Sequence, residues 1–219
     1  DGRQILQVRL PLGIEQYDLD GRPDGLRPEG KDSELDLFLE KERTDRQFVL
    51  NMEDFQRLRN EGVLFYFRYL ALFQVGHYDR VARDTDHNLE ICRFLEQHFP
   101  GSEKDEMLQY RPYILRMNAI SKAMMFLAEE KTAHAMEALE KGKTTIEALS
   151  PVSTPIYEFE KIRSLQHLSQ VVSQVHDTED HIREPKGFKA RLFQELSKAV
   201  ENEDYERAAR LRDRIKRLE

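Results

Sequence analysis

Between Phe65 and Leu95 lies the most apolar run of an otherwise polar chain, and it breaks once, at Gly76-His77. Ahead of the break Phe65, Tyr69, Leu72 and Phe73 recur three and four residues apart; beyond it Tyr78, Val81, Leu89, Ile91 and Leu95 keep a similar spacing. That period belongs to a helix with one buried face. Glycine ends a helix readily, because it enters the left-handed region without a Cβ clash. The run therefore predicts an antiparallel pair of long helices with aromatic rings held between them. The rest of the chain must pack around that pair.

The bulk properties suit such a body. Charged residues make up 34% of 219, and Trp is missing, as in a helical protein with charged outer faces. No apolar run approaches the ~20 residues that cross a bilayer. No signal-peptide pattern opens the chain, which begins at Asp1 instead of Met, so its natural start is expected further upstream. The single cysteine, Cys92, rules out an internal disulfide and fits a reducing compartment, so a cytoplasmic location is expected. The net charge of −7 is uneven: from Arg183 onward eleven basic residues face eight acidic ones, and the preceding part carries −10. An acidic body disfavours direct binding of nucleic acid. The basic tail alternates its signs, as a solvated helix does.

In chain order the expected fold class is mainly α. Ile5–Leu10 and Ile14–Leu19 flank Pro11-Leu12-Gly13 as a β-hairpin, with Leu6, Val8 and Leu10 on one face. Such a hairpin is marginal alone and should lie against helices. Asp20 to Gly30 is dense in turn residues, and its Arg22 and Arg27 are expected to tie the hairpin to the helices through carboxylates. A short helix follows from Ser33, capped by Asp32 or Ser33. Long helices are expected over Met52–Val75, Tyr78–His98, from near Pro112 to Ala128, over Lys131–Leu149 and over Ile156–Val175. The polar stretch from His176 to Gly187 reads as a linker. The expected division is thus 1–50 for hairpin, loop and short helix, 51–176 for the helical body, 177–187 for the linker and 188–219 for a terminal helical hairpin.

Polar motifs are few. Arg83-Asp-Thr-Asp-His-Asn88 stands between apolar flanks. Asp84, Asp86 and Asn88 imitate a calcium loop, but Leu89 and Leu95 occupy the places of its Gly and Glu. His87 and Asp84 are expected to form a buried polar pair in a network that fixes helix packing. A polar pocket of Asp84, Asp86, His87, Tyr110 and Arg111 is the alternative, suited to a phosphate or carboxylate. Gly142-Lys-Thr-Thr145 resembles the end of a phosphate loop, yet Glu137 stands where the first Gly belongs. No catalytic, metal or cofactor motif is found, so a non-enzyme without cofactors is expected.

Two local resemblances add to this. The Gly76-His-Tyr78 break is similar to the turn of a tetratricopeptide repeat (TPR), with Val81 and Ala82 at its close-packing positions and a poorer copy through Phe126, Glu130, Ala135 and Leu139. The spacing of the two turns is too long for a tandem array. At the C-terminus, Leu192, Leu196, Ala199, Glu203-Asp204-Tyr205, Ala208-Ala209, Leu211-Arg212-Asp213 and Ile215 resemble the UvrB/UvrC motif, or UVR domain. The whole chain also resembles an uncharacterised bacterial family that joins an Asp-Gly-Arg-Pro-Asp-Gly loop and a Tyr-Arg-Pro-Tyr helix start to a terminal UVR domain.

The resemblance implies a two-helix hairpin whose seam runs through Leu192, Leu196, Leu211, Ile215 and Leu218. UVR modules link the B and C subunits of excinuclease in DNA repair, and similar ones occur in protein-quality-control adaptors. The cysteine pairs with which such adaptors hold zinc are missing here. A hairpin this small buries little surface alone. It is therefore expected to recruit a partner protein or a second copy, as a homodimer, through Phe188, Leu192, Leu196, Tyr205, Ala208, Leu211, Arg212 and Ile215. The expected function is a non-catalytic adaptor; the alternatives are the ligand pocket above and a purely structural protein.

Overall fold

The computed structural model describes residues 4–45, 47–183, 192–199 and 204–216. The chain divides into two compact units, Asp1–Ser169 and Gln170–Glu219. In the first, strands β1 (Ile5–Leu10) and β2 (Gly13–Asp18) pair antiparallel, with Leu6 opposite Tyr17 and Leu10 opposite Gly13. Leu6 and Leu19 pack on Tyr69, Leu72, Val81 and Met117 of the helices, so the root of the hairpin joins the core. Its tip does not: Leu12 is fully exposed.

Helix α1 (Glu34–Thr44) starts where Ser33 Oγ accepts the Asp36 N–H at 3.0 Å. Helix α2 (Met52–Gln74) opens on a reciprocal cap between Asn51 and Asp54. It ends at Gly76 with φ +78°, where His77 N–H bonds back to the Leu72 carbonyl and Gly76 N–H to that of Phe73. Helix α3 (Tyr78–His98) returns along it. Leu58, Phe55, Ile91, Phe94, Leu95 and Phe99 close one end of the pair together with Leu35 and Phe38 of α1.

A one-turn α4 (Asp105–Leu108) precedes α5 (Arg111–Ala128), whose first turn holds Pro112 as expected. The turn into α6 (Thr132–Glu147) repeats the geometry at Gly76, with Glu130 in the left-handed region at φ +59° and Lys131 N–H on the Phe126 carbonyl. Gly142 sits inside α6, where a Cβ would stand 2.5 Å from that of Ala119; the glycine lets α5 and α6 approach closely. Helix α7 begins at Pro155, capped by Thr154 Oγ1, and runs to Arg183. Residues 177–183 are therefore helix where the polar composition predicts linker. Charge and polarity alone do not stop a helix; the breaker, Pro185, comes later.

The second unit contains the far end of α7, α8 (192–199) and α9 (Tyr205–Lys216). Asp204 caps α9, its Oδ1 accepting the Arg207 N–H at 3.1 Å. Leu192, Ala199, Ala208, Leu211 and Ile215 form one buried cluster, with Leu196 against it. Arg214 of α9 pairs with Asp177 of α7 at 2.7 Å. Among the described residues no helix is long and apolar enough to cross a membrane.

Candidate functional site

On α2 the buried stripe reads Leu58, Glu61, Phe65, Arg68, Leu72, so two charges stand at core positions. Both are fully buried. Glu61 accepts the Glu34 and Leu35 N–H groups at 2.6 and 3.1 Å, which places its carboxylate on the positive N-terminus of α1. Its other contacts are His87 Nε2 at 3.0 Å and Arg22 Nη1 at 3.5 Å. Arg22 also forks onto Asp24 and reaches Glu34 at 3.0 Å. Burial lowers the Arg22 pKa, but the bond and charge of Asp24, then Glu61 and Glu34, raise it further, so it ends above its ordinary value. The loop arginine thus ties the hairpin segment to the helices, as expected; Arg27 makes only an exposed pair with Asp32.

Arg68 holds Asp84 through two bonds, Nε to Oδ2 at 2.7 Å and Nη2 to Oδ1 at 2.8 Å. Its Nη1 donates to the Asp18 and Gly21 carbonyls, fastening the exit of β2. Phe65 meets a residue of each pair: His87 stacks on it at 3.9 Å and the Arg68 guanidinium sits 4.7 Å from its centroid. Asp84 and His87 therefore do not form the pair that their spacing suggests. They face different α2 residues, because neighbours three apart on a helix diverge when each has its own partner across the interface.

The five residues of the expected polar pocket are dispersed among separate contacts. Asp84 serves Arg68 and Arg83; His87 serves Glu61; Asp86 accepts from Asn118 and Lys122 at 2.9 and 3.0 Å. Arg111 pairs with Glu96 at 3.1 Å. Tyr110, 43% exposed, lines a different opening, a cavity of about 530 Å³ shared with Tyr66, Tyr69, Tyr113, Met107 and Glu160. Burial pushes the Tyr113 hydroxyl up to about 12 and the Cys92 thiol up to about 11. A thiol so raised and fully buried stays protonated and unreactive. In the sequence, the signal of Glu61 and Arg68 is their place on the apolar stripe of α2.

In the terminal hairpin, Leu192, Ala208, Leu211 and Ile215 point into its own seam, so they hold the two helices together and do not face outward. Arg212 is exposed and bonds Asp213 at 2.9 Å. Phe193, 48% exposed, stands beside the seam stripe, off its period. Tyr205 opens α9, while Phe188, Glu203 and Leu218 lie outside the described residues. A family model described as the UvrB/uvrC motif matches residues 189–219. No curated protein and no solved structure matches the chain.

Proposed function

We propose that this protein is a non-catalytic adaptor whose UVR hairpin holds a partner protein or a second copy of the chain. The observation that carries the reading is the match of a protein-interaction-type motif to residues 189–219, whose described helices, α8 and α9, form a hairpin with a closed seam. Because the seam is internal, the contact uses the outer face, where Phe193 and Arg212 are exposed, and Leu196 lies at the edge. Exposed aromatic and arginine side chains are the types that concentrate binding energy at protein interfaces. The helical hairpins of the body, similar in plan to tetratricopeptide units, act as the rigid support. Their buried charges are engaged in fixing the N-terminal loop and are left to that structural work.

By analogy of the module alone, the adaptor serves excinuclease-type repair or protein quality control in the bacterial cytoplasm. Size-exclusion chromatography with light scattering, run beside pull-down from the native host, tests the reading on the full chain and on one ending at Arg183. Loss of self-association or of a recovered partner in the shorter chain supports it. Equal mass and equal recovery in both would remove it.

A further inference from the structure

The cavity between α2, the α4–α5 entrance and α7 has a construction that helix packing alone does not require. Its volume of about 530 Å³ falls in the range of small-molecule sites. Tyrosines 66, 69, 110 and 113 contribute to its lining. At its floor stands Asn88, 2% exposed, oriented by its Nδ2 bond to the Gly62 carbonyl at 2.9 Å. The Oδ1 of the same amide has no hydrogen-bond partner, and a buried unsatisfied acceptor is costly.

The methyl of Met107 and this oxygen both lie beside Gly62. A Cβ on Gly62 would stand 2.6 Å from Met107 Cε and 3.7 Å from Asn88 Oδ1, so the thioether end fills a notch that only glycine leaves. Methionine is the side chain best able to swing out of such a place. A second unpartnered acceptor, Glu160 Oε2, belongs to the α7 wall. The Asn88 oxygen thus calls for an N–H donor, and the aromatic lining suits an aromatic ring.

We propose that this cavity binds an aminated nucleobase ring, presented as a free nucleoside, with Met107 as a movable plug beside the Asn88 acceptor. The ring stacks against the tyrosines and its exocyclic N–H group donates to Asn88 Oδ1 once the methyl swings aside. The rim arginines set the limit on the ligand. Arg59 is paired with Glu106 at 3.3 Å and Arg163 lies 3.8 Å from Glu160, so both cations already face a carboxylate and a nucleoside is preferred to its polyphosphate.

Methionine ε-methyl NMR on the full chain tests the site, with adenosine as probe and the Met107 signal assigned from Met107→Leu. Adenosine should shift that methyl saturably, and purine riboside, which lacks the amino group, should bind at least tenfold more weakly. Tyr110→Ala, at an exposed position outside the core, should weaken adenosine at least fivefold. No shift of Met107 with millimolar adenosine, equal binding of purine riboside, or an unchanged response in folded Tyr110→Ala would each overturn the proposal.

Discussion

Two buried arginines within one body make opposite contributions. Arg68 has a carboxylate and two carbonyls fitted to its guanidinium, whereas Arg116, 4% exposed, lies 4.8 Å from the Tyr113 ring centroid with Nε and Nη1 unpartnered. Burial lowers the Arg116 pKa more than the nearby Glu160 charge restores it. Removing Arg68 leaves Asp84 uncompensated except by Arg83, so Arg68→Ala should cost about 3–5 kcal/mol in urea denaturation. Arg116→Met should leave stability unchanged or raise it by about 1 kcal/mol, since it removes a buried cation and keeps the volume. His167 reports on the same region. Burial, then the charges of Arg116 and Arg163, lower its pKa from 6.5, so the unfolded chain takes up the proton first. The stability it contributes is present above pH 6.5 and is lost as the pH falls through that value toward the folded one. Histidine NMR should find this group titrating below its usual range in the native state, and closer to normal in Arg116→Met.

At the scale of elements, the two helical hairpins end their first helices with the same bonds but different residues. Gly76 meets the left-handed conformation at no steric cost, whereas Glu130 meets it with a Cβ. Glu130→Gly should therefore stabilise by about 1 kcal/mol, and Gly76→Ala should destabilise by a similar amount, read as shifts in urea midpoint. Gly142→Ala should cost about 1–3 kcal/mol, because the added methyl meets the Ala119 methyl on a facing backbone. The helices, their glycine and proline punctuation and the hairpin root were legible, since period and turn chemistry are local. The polar network was legible only in part. Asp84 and His87 stood out as polar residues among apolar ones, but their partners come from another helix, and nothing local names a partner. Glu61 and Arg68 were passed over because hydropathy treats a charge as surface even when it stands at a core position. The run of α7 past His176 has the converse reason: polar residues by themselves do not end a helix.

For the whole molecule, chemistry is distributed unevenly. The body uses its buried charges to fix its own loop, and the terminal motif, with its seam closed, presents an outer face that includes Phe193. An exposed Phe offered to a partner makes its replacement nearly neutral for folding and damaging for association. The direct measurement is a comparison of full-length wild type with Phe193→Glu by thermal melting, by light scattering across a concentration series and by pull-down. The account predicts an unchanged melting temperature and a loss of self-association, or of partner recovery, of at least tenfold. Undiminished association in a fully folded Phe193→Glu chain would contradict it.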